Sequence, residues 1–189
     1  MKKLLFIFLI SLHPVITPQP VSALTPRIDG PDMQIINNNI TVKTSIADTL
    51  DLDRTIKSGV GKEIIFTVEL IRVWKFWPDE FVVSKKARKF VKYDNLRDQY
   101  LASLHDGISR ADVKFNDFAA LKDWLFTSND VNLANIRELD PGHYYIRVVV
   151  ESRSMEQMPL IGFIMHLMPE VEMSLAKESR SFTVGMPEK

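Results

Sequence analysis

The clearest alternation of apolar and polar side chains in this chain runs through Ile64-Ile65-Phe66-Thr67-Val68-Glu69-Leu70-Ile71-Arg72-Val73-Trp74-Lys75-Phe76. Successive side chains of a β-strand point to opposite faces, so a period of two predicts a strand here. The even-numbered face is the more apolar one, and we expect it to face the core as far as Trp74 and Phe76. The Pro in Trp77-Pro78-Asp79 then ends the strand.

Turn signals divide the rest of the chain into further short strands. Asn37-Asn38-Asn39 predicts a tight hairpin, because Asn tolerates the positive φ angles of such turns. Asp106-Gly107 predicts a second turn, since Gly adopts those angles freely. The predicted strands cover residues 33–36, 40–46, 64–76, 81–93, 97–104, 108–115, 144–151, 171–175 and 181–184.

Two segments have the spacing of helices. Asn116 or Asp117 can cap a helix whose apolar side fits a turn of 3.6 residues. The residues of that apolar side are Phe118, Leu121, Trp124 and Leu125. Residues 51–58 predict a shorter helix that ends at Gly59. Gly59-Val60-Gly61-Lys62 is therefore interpreted as a helix end, because it lacks the spacing of a phosphate-binding loop.

The turn at Pro141-Gly142 leads into a strand that begins with a tyrosine, Tyr144. Pro followed by Gly fits the central positions of a type II turn. A Tyr that enters a strand after such a turn resembles the tyrosine corner of immunoglobulin-like domains. Because strands follow strands instead of alternating with helices, we predict a mainly β fold, an antiparallel immunoglobulin-like β-sandwich with one or two short helices.

The N-terminus predicts where the protein works. A basic start, an apolar run over residues 4–12 and the small residues Val21-Ser22-Ala23 predict a signal peptide over residues 1–23. A retained anchor is the less favoured alternative, because the run is far shorter than the roughly 20 residues of a membrane-spanning helix. We then expect a leader at residues 24–32, a single domain at 33–185 and a tail at 186–189.

Composition excludes several classes of function. The chain has no Cys, which rules out cysteine nucleophiles, iron–sulfur clusters and thiolate zinc sites. Without the predicted signal peptide, which holds two of the 24 Lys and Arg residues, the formal net charge is −2. No positive field favours a nucleic acid partner, and we predict no cofactor.

One predicted strand carries an unusual density of positive charge. Its basic residues are Lys85, Lys86, Arg88, Lys89 and Lys92. They predict an interaction face for an envelope protein or an anionic membrane surface. The alternative is an edge strand that lysines protect from pairing with other chains. Just before this strand, Trp77 and Phe81 are the candidate surface aromatics for a bound ligand.

A methionine-rich stretch near the C-terminus has two interpretations. Its members are Met155, Met158, Met165, Met168 and Met173, with His166 among them. Thioether and imidazole ligands suit copper(I). Met is also an ordinary filler of irregular apolar cores, and we favour packing and predict no metal site. Residues 159–169 are apolar enough to touch a membrane or a partner, but burial is the preferred interpretation.

No catalytic motif is present. The three histidines after residue 23 are His105, His143 and His166, and none lies in a zinc-protease or serine-hydrolase pattern. We therefore predict a non-enzymatic binding protein without catalytic, cofactor or metal residues. The alternative is a small hydrolase-like extracytoplasmic enzyme with a loop-borne site near His105 or His143.

The order of aromatic and aliphatic segments between about Asn39 and Gly185 resembles a family of exported bacterial proteins, domain of unknown function 4390. The matching features are residues 52–59 with the strand from Glu63, the aromatic segment 74–77, Arg97-Asp98-Gln99-Tyr100, and Phe115 with the Trp124 helix. The resemblance implies bacterial origin and an extracytoplasmic site. Together with the predicted signal peptide, it leads us to predict an exported, periplasmic protein in an envelope assembly of a Gram-negative type of cell, with membrane association as a further option. The resemblance implies no activity, cofactor or functional residue.

Overall fold

The alternating stretch forms β3 (Gly61–Val73), a central strand in a computed structural model that describes residues 25–47, 52–128, 130–155 and 171–185. The other elements are β1 (Arg27–Ile36), β2 (Asn39–Ala47), α1 (Leu52–Lys57), β4 (Glu80–Asp94), β5 (Gln99–His105), β6 (Arg110–Phe115), α2 (Phe118–Phe126), β7 (Val131–Asn135), β8 (Gly142–Met155), β9 (Val171–Glu178) and β10 (Phe182–Val184). A single 3-10 turn, Ile136–Glu138, lies between β7 and β8.

The larger sheet is built around β3, which pairs with β8 on one side and β4 on the other. Its strand order is β10-β8-β3-β4-β5-β6, and β9 also pairs with β8. The register places Phe66 opposite Val150 and Leu70 opposite Ile146. All four side chains are fully buried. The alternation in β3 and β8 therefore gives one continuous apolar face across the two longest-paired strands.

The smaller sheet has the order β1-β2-β7, and all its pairs are antiparallel. Asn37 and Asn38 have φ angles of 50° and 64°, so the predicted hairpin turn between β1 and β2 is confirmed. Ile40 and Val42 of β2 are fully buried in the same core as Phe66. The two sheets thus enclose one hydrophobic core, and the prediction of a mainly β, antiparallel fold is confirmed.

β1 begins earlier than the sequence pattern indicated. The prediction placed its start at residue 33 and assigned 24–32 to a leader, but pairing with β2 starts at Arg27. A register shift between Asp29 and Asp32 interrupts the ladder. Most of the predicted leader is therefore strand, and this irregularity hides the strand's alternation in the sequence.

Both predicted helices are confirmed. The Asp117 carboxylate accepts a hydrogen bond from the Ala120 amide at 2.9 Å and caps α2, whose Leu121 and Leu125 are buried. α1 buries Leu52 and Ile56, and it is followed by Gly59 at a φ of 95°.

The turn before β8 contains the hydrogen bond that a tyrosine corner requires. The Tyr144 hydroxyl donates to the Asp140 carbonyl at 2.7 Å, four residues upstream. Tyr144 is itself buried, and its ring stacks on Phe182 of β10. The predicted type II turn is wrong, because Gly142 does not have the positive φ that such a turn requires and already belongs to β8. The hydrogen bond of the predicted tyrosine corner is present, and the sheets around it contain three and seven strands in the part of the chain that is described.

Several predictions fall outside the described residues. These are the signal peptide 1–23, the tail 186–189, and Met158, Met165, His166 and Met168 of the methionine-rich stretch. Of the remaining methionines, Met155 is exposed and Met173 packs against the core. Among the described helices, none has the length and apolar character to span a bilayer.

Candidate interaction surface on the β3–β4 hairpin

Four large aromatic side chains lie exposed where β3 turns into β4, and we call them the aromatic tip. Trp74, Phe76, Trp77 and Phe81 are 41%, 85%, 76% and 59% exposed. The exposure of Trp77 and Phe81 agrees with the sequence prediction. The prediction that Trp74 and Phe76 face the core is wrong, because the buried residues of β3 end at Ile71 and the strand itself ends at Val73.

Trp74 is held in place by Arg72 and Glu80. The Arg72 guanidinium lies 4.3 Å from the centre of the indole ring, and the indole Nε1 donates to the Glu80 carboxylate at 3.0 Å. Arg72 also donates to the Asp140 carboxylate at 3.1 Å and to the Pro141 carbonyl at 3.0 Å. The tip is thereby connected to the turn that precedes β8.

The basic residues predicted as one face are distributed over both faces of β4. Lys86 lies opposite Thr67 and Arg88 opposite Ile65, on the face away from the core. Lys85 lies opposite the buried Val68, on the core side, but its own side chain is exposed. Lys92 is exposed and shares the outer face with Lys86, six residues away along the strand.

Lys89 corrects the predicted face, because it is buried. Lys89 is only 1% exposed to solvent. Its Nζ donates hydrogen bonds to the carbonyls of Trp124 and Thr127, at 2.5 Å each. These carbonyls lie at the C-terminal end of α2, where backbone oxygens have no partner within the helix. Burial lowers the pKa of Lys89 to about 8. Lys89 therefore stabilises the end of α2 and is not available to a partner.

The first half of β4 has only one neighbouring strand. β4 pairs with β3 from Glu80 to Val91, but with β5 only from Arg88 onwards, because β5 ends at His105. We call the side of Glu80–Ala87 that faces away from β3 the open edge. Lys85 and Lys86 lie on it, so the alternative prediction of a lysine-bearing edge strand describes this part of β4 correctly.

A shallow groove of about 370 Å³ crosses the outer face of β4, β5 and β6. Phe90 and Leu101 contribute apolar surface, and Lys92, Arg110 and Lys114 contribute positive charge. Asp112 also lines the groove and pairs with Arg110 at 3.0 Å. The groove extends the basic character of this face from β4 to β6.

The histidines of the alternative prediction are not joined to catalytic partners in the described residues. His143 Nδ1 lies 3.1 Å from Thr183 Oγ1, and His105 lies across from Arg88 and Arg110 on neighbouring strands. Asp106 is engaged in its own turn, where the Ser109 and Ile108 amides lower the pKa of its carboxyl to about 2. Within the described ranges, no group of three His or carboxylate residues is placed to hold a metal ion.

A family model described as "Domain of unknown function (DUF4390)" matches residues 28–167. The chain belongs to this family. The DUF4390 region begins within β1 and contains α1, α2 and all strands from β2 to β8, so the aromatic tip and β4 lie inside it. The resemblance found in the sequence is confirmed. Comparisons with curated proteins and with solved structures gave no significant match.

Proposed function

We propose that the protein is a non-enzymatic binding protein of the bacterial cell envelope that holds its partner through the β3–β4 hairpin. The observation that carries this proposal is the arrangement of one hairpin, with the aromatic tip at its turn and Lys85, Lys86 and Arg88 beyond it. Within the described residues these three basic side chains form no ion pair, whereas other basic residues of the larger sheet do.

Energetic considerations support a binding role for the tip. Leaving a large apolar side chain in water instead of burying it forgoes about 1.5–3 kcal/mol, and a cluster of exposed aromatics is uncommon on soluble monomers. Trp and Arg are enriched among the residues that dominate binding energy at protein interfaces. Trp77 and Phe76 gain this burial only when something covers them.

The predicted secretory signal supports an envelope location. The basic start, the short apolar run and the small residues before Leu24 are the three parts of a secretory signal. We propose that residues 1–23 are removed and that the protein works in the periplasm. Fractionation of cells with a C-terminally tagged chain tests this, since a full-length cytoplasmic product contradicts it.

The hydrolase alternative remains a prediction from the sequence, without a structural observation in its favour. For the fold, we propose a relationship to immunoglobulin-like sandwiches. Two antiparallel sheets around one core and the Tyr144 hydrogen bond support this relationship.

In-cell crosslinking tests the binding proposal. The tagged wild-type chain is compared with a variant that carries Lys85→Glu, Lys86→Glu and Arg88→Glu, and crosslinked proteins are identified by mass spectrometry. We expect one specific partner whose yield falls at least about tenfold in the variant.

A matched control carries Lys43→Glu, Arg54→Glu and Arg137→Glu. These residues are also exposed and change the net charge equally, but they lie in β2, α1 and the 3-10 turn. An equal loss in the control, or no specific partner in the wild type, contradicts the proposed function.

A further inference from the structure

The open edge of β4 offers a second kind of recognition besides side-chain contact. Between Glu80 and Ala87 the backbone pairs with β3 only, with a bulge at Val82, and in the described residues no backbone hydrogen bond from a turn or loop reaches this stretch. Edge strands carry a row of backbone donors and acceptors that another strand can use. Eight residues extend over about 26 Å at roughly 3.3 Å per residue, enough to seat a strand of ordinary length.

The basic side chains on this edge alternate between the two faces of the sheet. Lys85 points to the core side, opposite Val68, whereas Lys86 points to the outer side, opposite Thr67. A flat surface such as a bilayer meets one face of a sheet at a time. A strand paired with the edge has its own side chains on both faces and therefore reaches both lysines.

The charge of the edge determines the charge of its occupant. Lys85, Lys86 and the adjacent Arg88 are exposed and unpaired within the described chain, and the acidic residue at the far end, Glu80, already contacts Arg72 and Trp74. An acidic strand neutralises the three cations, whereas a second copy of this edge would place lysines against lysines. The charges therefore disfavour self-pairing and favour an acidic partner.

The distance between the aromatic tip and the basic residues Lys85, Lys86 and Arg88 disfavours a lipid partner. Phe81 and Arg88 are separated by about 23 Å along the strand, more than twice the Debye length of about 8 Å at physiological salt. If the hairpin stands perpendicular to a membrane that contacts its tip, salt therefore screens Lys85, Lys86 and Arg88 from the charges of the lipid headgroups. Asp79 and Glu80 also lie directly beside the exposed aromatics.

We propose that the open edge of β4 receives an acidic, extended segment of a partner protein as an added β-strand, in line with β5. Backbone hydrogen bonds give this strand its affinity, and Lys85, Lys86 and Arg88 select its charge. Phe81 and Val82, both exposed, offer apolar contacts at the other end of the edge. This inference rests on the proposed function, because it names the chemistry of the partner at the same hairpin.

Photo-crosslinking with a register readout tests the inference. A photoreactive residue replaces Val82, Lys85 or Lys86, one at a time, in the full chain in its own cells. The crosslinked site in the partner is then mapped by mass spectrometry. We expect all three positions to reach one short acidic segment, with the partner site moving steadily along that segment as the probe moves along β4, because paired strands keep their register.

Charge variants provide the second measurement. In a chain with the probe at Val82, Lys85→Glu together with Lys86→Glu is expected to lower the crosslinked product about tenfold or more. The matched pair Lys43→Glu and Arg137→Glu, also exposed but away from β4, is expected to leave it unchanged. An equal response of both pairs overturns the assignment of charge selection to this edge.

Other outcomes separate this inference from the proposed function. A probe at Phe76 reports on the aromatic tip. If Phe76 captures a partner while the three edge positions capture lipid, a second copy of the chain, scattered sites or nothing, strand addition is overturned and the binding function stands. If neither the tip nor the edge captures a partner, both proposals are overturned.

Discussion

The two ends of β3 have opposite environments although they belong to one strand. From Ile64 to Leu70 the strand is paired on both sides and its even-numbered side chains are at most 1% exposed. Beyond Val73 the chain enters the aromatic tip, where Phe76 is 85% exposed. Similar apolar residues thus stabilise the fold at one end and remain uncovered at the other. The difference indicates that the buried end of β3 contributes to stability, whereas the aromatic tip contributes little to it.

The largest expected effect separates Phe66 from Phe81. Phe66→Ala removes a fully buried ring from the core, so we expect a loss of about 3–5 kcal/mol in the free energy of unfolding. Phe81→Ala removes an exposed ring and is expected to change it by less than about 0.5 kcal/mol. Denaturant unfolding of both variants measures this, and equal losses would contradict the comparison.

A second effect distinguishes Lys89 from its exposed neighbour Lys86. Because burial lowers the pKa of Lys89 to about 8, the unfolded chain binds more protons than the folded one between that value and the ordinary 10.5. Its contribution to stability is therefore complete at high pH and lost as pH falls through 8. Relative to Lys89→Met, the wild type should gain about 2 kcal/mol of unfolding free energy between pH 7.5 and 9.5.

Lys86→Met is the matched control for that measurement. Its side chain is exposed, so its removal should leave the wild-type dependence of stability on pH intact. The same slope in the wild type and in Lys89→Met would show that burial does not lower the pKa of Lys89.

A third, smaller effect concerns the ion pair at the beginning of β3. The buried Lys62 donates to the Glu172 carboxylate at 2.5 Å and to Ser154. Burial opposes ionisation of Glu172, but the hydrogen bonds from Lys62 and Ser154 outweigh it and lower the pKa of its carboxyl. The stabilisation is thus present above the ordinary pKa of 4.5 and is lost as pH falls below it.

Glu172→Gln leaves Lys62 without its counter-charge. We expect a loss of about 1–2 kcal/mol at neutral pH, below the range for fully buried pairs, because Glu172 is 38% exposed. The variant should also lose the part of the acid dependence that Glu172 supplies. Denaturant titrations at pH 7 and pH 4 measure both effects, and Glu178→Gln is an exposed control on the same strand.

The smallest expected effect on stability belongs to the aromatic tip. Phe76→Ser with Trp77→Ser removes two exposed rings, so the free energy of unfolding should change by less than about 0.5 kcal/mol. The same variant should lose most of the crosslinked partner, because aromatic anchors dominate interface energies. A stable variant that keeps its partner would restrict the interaction to β4.

The sequence predicted the strands and helices well where one local pattern determines them. Period-two alternation identifies β3 and β8, and Asn37-Asn38 and Asp117 identify a turn and a cap by their own chemistry. β7 was missed, since its five residues Val131–Asn135 offer little alternation to detect. Alternation also cannot reveal where the covering layer ends, which is why Trp74 and Phe76 were assigned to the core.

The sequence predicted which types of residue form the candidate site, but not which of their side chains lie on the protein surface. The sequence predicted a basic strand at β4 and predicted that Trp77 and Phe81 are exposed, as the structure shows. Lys89 has the same side chain as Lys85 and Lys86, but its partners Trp124 and Thr127 come from a distant helix end. Which lysine lies inside depends on that tertiary contact, and no spacing within β4 records it.

Arg72 orients the side chain of Trp74 on the β3–β4 hairpin. One guanidinium contacts the Trp74 ring and donates to Asp140 and Pro141, and a Cβ at Gly142 would lie 3.1 Å from its Nε. The missing side chain of Gly142 therefore leaves room for the group that orients Trp74. A partner bound at the proposed surface would meet an indole that Arg72 and Glu80 already orient, so little conformational entropy would be lost at that contact.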